Sequence, residues 1–176
     1  MKKIILTLSL SILSLITFAQ STITTELVSE KRIFEGSEYL WIKEPLNLSN
    51  GDNEGIILFP HFKKLGGVWV CVALGAKNYP DEENLCFGYD VITIIFEDET
   101  REEFSSWRSF YCSMEYDFDL EVDMRKKLSK PIQGIQFVNG RSLYTFQKLF
   151  TSSDEKNYFI NVFKNLDKLN VNNLTK

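Results

Sequence analysis

Five carboxylates fall close together at Glu97, Asp98, Glu99, Glu102 and Glu103. If they converged, they could hold a divalent cation or supply the acid and base of a glycan hydrolase. The strand period argues against convergence: neighbours on a strand point to opposite faces, so Glu102 and Glu103 cannot reach one reacting atom. The spacing is also not that of a DxDxDG calcium loop. The stretch GYDVITIIFEDETREEFSSWRSFYC therefore reads as a hairpin with its acids at a wet tip.

Other chemistry is sparse. His61, in FPHFKK, is the only histidine, and it reads as a turn residue after a short strand. No GxSxG nucleophile elbow is present in the sequence. A Cys–His nucleophile would need Cys71, Cys86 or Cys112 beside His61, without the support of any CxxC or Cys-His spacing. No catalytic, cofactor-binding or metal-ligating residue is therefore expected. The aromatics Tyr39, Trp41, Trp107 and Tyr111 could face a ligand, together with Tyr116, although aromatic residues are also ordinary sheet and core material.

The hairpin makes a stronger expectation. With Asp98, Glu99 and Thr100 as a three-residue turn, Glu97 faces Arg101, Ile94 faces Phe104, Thr93 faces Ser105, Val91 faces Trp107 and Asp90 faces Arg108. Like meets like and charge meets opposite charge, the pairs a ladder favours. The same register sets Cys86 opposite Cys112, predicting a cross-strand disulfide worth about 2–4 kcal/mol. Cys71 is then a buried small hydrophobe, though a bridge from Cys71 to one of the others stays open.

These residues need a scaffold. The chain opens with Lys2 and Lys3, an apolar stretch from Ile4 to Ile16, and Thr17-Phe18-Ala19 before Gln20. That pattern reads as a secretory signal peptide over 1–19, with a periplasmic or extracellular destination. The remaining 176 − 19 = 157 residues suffice for one domain, and losing two lysines leaves 18 − 24 = −6 in formal charge. An acidic surface without a basic stripe disfavours nucleic acid. No second apolar run reaches the ~20 residues a membrane span needs.

Along residues 20–169 the pattern is β-type runs between polar turns. ITTELVSEKRIF and EYLWIKEP read as two strands, IILFP as a short strand ended by Pro60, and GGVWVCVALGA as a central strand. Asp119 caps a short helix carrying Leu120, Met124 and Leu128, and Asn139-Gly140 marks a second hairpin. Ser152 and Glu155 form a capping box ahead of a helix with Phe159, Val162, Phe163 and Leu166 on one stripe. The fold expected is mainly β (α+β): an antiparallel sandwich or strongly curved sheet of about seven or eight strands, a short helix, and a C-terminal amphipathic helix packed on it. Residues 170–176 read as a flexible tail.

Three stretches, GYDVITIIFEDET, LSKPIQGIQFVNGRS and EKNYFINVFKNL, together resemble a loose group of small exported β-rich proteins of unknown function from Bacteroidota. That group usually carries Gly where this chain has Glu99. The resemblance implies a non-enzymatic envelope protein and brings no activity with it. The expectation is an exported non-catalytic domain that binds a protein, glycan or small molecule, needing no cofactor. The alternatives are a carboxylate-dependent secreted hydrolase and a carrier of a small apolar ligand.

Overall fold

The longest hairpin turns on Gly66 and Gly67, whose φ angles of 56° and 88° are both left-handed. Such a two-residue turn matches the twist of the strands it joins. It connects β4 (Gly55–Leu65) to β5 (Val68–Tyr79). The structure is a computed structural model that describes residues 23–32, 37–48, 55–79, 89–106, 115–118, 124–140 and 143–174. Within these residues the fold is mainly β, with every ladder antiparallel.

β4 does not end at Pro60 as the sequence predicts. It continues through Pro60 and His61, so His61 is a strand residue and not a turn residue. The reason is positional. β3 (Leu46–Asn47) pairs only with Leu58 and Ile57, which leaves β4 an edge strand from Phe59 onward. An edge tolerates proline because one side of the strand needs no N–H donor. β8 (Glu115–Phe118), which contains Tyr116, pairs on the far side of β5 and completes the sheet β3-β4-β5-β8.

A second sheet has the order β10-β9-β6-β7, from β6 (Val91–Phe96), β7 (Arg101–Ser105), β9 (Ile132–Val138) and β10 (Thr145–Leu149). A separate ribbon joins β1 (Leu27–Arg32) to β2 (Ser37–Ile42). The described residues thus hold ten strand segments, eight of them in the two four-stranded sheets.

The β6–β7 hairpin has a three-residue turn, but not over the residues the sequence favours. Ile92 pairs with Phe104 and Ile94 with Glu102, and the turn is Glu97-Asp98-Glu99, closed by Phe96 N–H to the Thr100 carbonyl at 2.9 Å. The register differs by two residues from the expected one, so each residue keeps its face. Two causes outweigh the hairpin's own side-chain matches. Glu99 supplies the left-handed residue that a three-residue loop needs, at φ 65°. The register also lines up Phe104, Ile92, Phe137 and Phe146 across all four strands, each at most 2 % exposed. The ladder from which the Cys86–Cys112 bridge was inferred is therefore not the one formed. Both cysteines, the leader over 1–19, Trp107 and Tyr111 lie outside the described residues.

The second hairpin is present with a longer loop than Asn139-Gly140 alone. Val138 pairs with Thr145, and Asn139 N–H bonds the Tyr144 carbonyl at 2.8 Å, so the ladder closes at Asn139 and Tyr144. This register brings Phe146 opposite Phe137. The loop is also pinned from outside: buried Asp90 accepts the Gly140 N–H at 2.9 Å.

The described residues hold three helices: α1 (Met124–Lys127), α2 (Ser153–Lys156) and α3 (Tyr158–Leu174). The Ser152–Glu155 capping box forms as expected. Phe159, Val162, Phe163 and Leu166 are buried in one core with Met124, Leu128 and both sheets. Burial of each large side chain contributes about 1.5–3 kcal/mol. The segment read as a flexible tail is helical to Leu174. Its Asn170 side chain accepts from Trp69 N–H at 2.8 Å and donates to the Trp69 carbonyl at 2.9 Å. An amide can satisfy both backbone groups as a neighbouring strand would, which fixes this end of the helix to β5. No described helix is long and apolar enough to cross a membrane.

Candidate functional site

A cleft opens where β2 and β4 part. β3 is hydrogen-bonded to β4, but on the other side of Pro45 the chain belongs to the separate β1–β2 ribbon. Between β2 and the outward face of β4–β5 lies a solvent-open cavity of about 760 Å³. Sites for small organic ligands are typically ~300–1,000 Å³.

Its floor follows from the strand period. Ile57, Phe59, His61 and Lys63 alternate on one face of β4, opposite Lys77, Gly75, Ala73 and Val70 of β5. Gly75 is needed there: a Cβ on it would stand 2.4 Å from the Phe59 ring. With only hydrogen in the way, Phe59 lies across β5, its ring centroid 5.0 Å from that of His61. A register shift between His61 and Phe62 leaves Val72 as the extra residue of a bulge, and Val72 joins the lining.

The opposite wall is β2. Leu40 and Ile42 are buried, while Tyr39 and Trp41 are each 38 % exposed at the rim. Two of the four aromatics singled out from sequence thus line one cleft. The helices hold this wall in place. The Tyr158 hydroxyl donates to the Glu44 carbonyl at 3.0 Å, beside Pro45. Burial raises the Tyr158 pKa, and the nearby Glu44 charge adds to the effect, so the hydroxyl stays a donor. Asn165 Nδ2 donates to the Thr25 carbonyl at 2.9 Å, and Lys43 Nζ meets Glu26 Oε2 at 2.9 Å.

The acidic hairpin tip is arranged differently. Asp98 accepts from Lys130 Nζ at 2.6 Å and from the Thr100 hydroxyl at 2.5 Å. The hydrogen bond from Lys130, followed by that from Thr100, holds its carboxyl down at about 2. Glu97 pairs with Lys156 at 2.8 Å. Among the described residues no group of three His, Cys, Asp or Glu side chains is placed to hold a metal ion.

Cys71 and His61 cannot act together. Cys71 pairs with Phe62 across the ladder while His61 pairs with Ala73, so the two side chains point to opposite faces. Burial pushes the Cys71 thiol up to about 12, against the weaker opposing effect of its contact with the Ala73 carbonyl. It is a core thiol.

Sequence reasoning located the rim but missed the floor, because it ended β4 at Pro60. The alternation Ile57, Phe59, His61, Lys63 running through that proline, followed by Gly66-Gly67, was the available signal. Comparison with family models, curated proteins and solved structures returned no match.

Proposed function

We propose that this chain is an exported, non-catalytic binding protein whose ligand occupies the cleft between β2 and β4–β5. One observation carries the reading: a cavity of about 760 Å³ has half-exposed Tyr39 and Trp41 at its mouth and a Phe59 ring laid on its floor by Gly75. Half-exposed aromatic groups around an apolar concavity are the usual makings of a ligand site. The leader-like N-terminus supports action outside the cytoplasm.

Native mass spectrometry of the protein purified from its host's envelope tests this. The expected result is a small co-purifying mass on a chain starting at Gln20, absent from a Tyr39→Ala, Trp41→Ala variant. A mass retained by that variant, or a bare chain in which added apolar probes leave Trp41 fluorescence unchanged, would overturn the reading.

A further inference from the structure

The chemistry of the cleft wall narrows its ligand, given the reading of the cleft as a binding site. Thirteen described residues line it, and eight are aliphatic, proline or phenylalanine: Leu40, Ile42, Pro45, Ile57, Phe59, Pro60, Phe62 and Val72. The other five are Tyr39, Trp41, His61, Lys63 and Lys77. Among the described residues no Asp, Glu, Asn, Gln, Ser or Thr side chain takes part, although the chain carries 24 acidic residues against 20 basic ones. A hydroxyl-rich sugar needs side-chain acceptors as well as donors, and the described lining offers no carboxylate or amide oxygen, only Tyr39 and His61. An organic cation would meet the unpaired Lys63 and no carboxylate among the described lining residues. What fits is an apolar body with an anionic end.

The charges also have a position. Lys77 stands across the ladder from Ile57, and Lys63 lies six residues further along β4 on the same face, a separation of roughly 20 Å at the usual strand rise. Between them lie Phe59 and His61. Neighbouring Lys64 is neutralised by Glu38 at 2.5 Å. Lys63, in contrast, has no ion-pair partner among the described residues, and its ammonium group is available to a ligand.

We infer that the cleft takes a small amphipathic organic anion, its carboxylate or sulfonate at Lys63 and its apolar body along Phe59 toward Trp41. No covalent step is involved. The site would select by charge at one end and by exclusion of water along the rest.

A matched pair of fluorescent probes tests this on the full mature chain: the anion 1-anilinonaphthalene-8-sulfonate and its neutral analogue N-phenyl-1-naphthylamine. The anion is expected to bind about three- to ten-fold tighter, with the advantage lost in Lys63→Gln and reduced at high salt. Dodecanoate should displace it better than dodecanol. Lys63 is exposed, so the variant should fold, and circular dichroism with a melting curve checks that it does. Equal binding of both probes, unaffected by Lys63→Gln but lost in Tyr39→Ala, Trp41→Ala, overturns the anion inference and leaves the cleft a binding site. Binding of neither probe, or binding indifferent to the aromatic variant, overturns both readings.

Discussion

The β6–β7 tip and the β2–β4 cleft hold their charges in opposite ways. At the tip, Asp98 and Glu97 are matched by Lys130 and Lys156 from other elements. In the cleft, Lys63 has no ion-pair partner among the described residues and sits beside apolar surface in which no described acid takes part. The denser cluster in the sequence is thus the one in which Glu97 and Asp98 already have lysine partners. In the sparser one, Lys63 is the charge that the proposed ligand would meet. Ionisable residues crowd wherever a turn must stay wet, so their density alone says little. A charge such as that of Lys63, without an ion-pair partner among the described residues and beside a concave apolar surface, says more.

The largest effects should separate stability from binding. Phe137→Ala removes a ring from the four-strand row under the tip, where Phe137 is 2 % exposed. It should cost about 3–5 kcal/mol in urea denaturation. Probe affinity per folded molecule should stay within two-fold, because the cleft belongs to the other sheet. A parallel collapse of affinity would mean that the two regions are one mechanical unit.

Gly75→Ala reverses the pattern. The added methyl displaces the Phe59 ring, costing about 1–3 kcal/mol by overpacking, and should weaken anion binding more than any change at the tip. Unchanged melting and unchanged binding would show that Phe59 is not the floor of the site.

A smaller and pH-dependent effect is expected at the capping box. Burial raises the Glu155 carboxyl, but the Ser152 backbone N–H, followed by Lys148 and the Ser152 hydroxyl, outweighs it and holds the pKa below the usual range. A depressed carboxyl contributes stability above its unfolded pKa and loses it as pH falls through the folded value. Glu155→Gln should therefore flatten the loss of stability on acidification below about pH 5, measured by melting at stepped pH. Ser152→Ala should cost about 1 kcal/mol at neutral pH. An acid limb left unchanged by Glu155→Gln would assign acid sensitivity to other carboxylates.

The fold class was legible because period and turn chemistry are local. Alternation marked the strands, Ser152 and Glu155 marked a helix start, and Phe159 to Leu166 marked a buried stripe. What was not legible depends on partners distant in sequence. The β6–β7 register is set by β9 and β10, which extend the Ile92–Phe104 pair into a row of four. The helical state of Asn170 is fixed by Trp69, 101 residues away. Half of the candidate site was visible as Tyr39 and Trp41. Its floor was hidden by the assumption that Pro60 stops a strand, which fails at an edge.

The smallest effects belong to the tip and bear most directly on the contrast. Glu99 holds a left-handed φ of 65°, a conformation that costs an L-residue about 1–2 kcal/mol and glycine little. Against that gain, glycine loses more freedom on folding, so Glu99→Gly should stabilise by no more than about 1 kcal/mol. Asp98→Asn removes the partner of Lys130 at an exposed position, where screened ion pairs contribute little to stability. It should leave the melting midpoint nearly unchanged and probe affinity untouched at every salt concentration. Lys63→Gln should likewise spare the midpoint but abolish the preference for the anion. If Asp98→Asn instead altered probe binding, the tip would belong to the site, and its paired charges could no longer be read as purely structural.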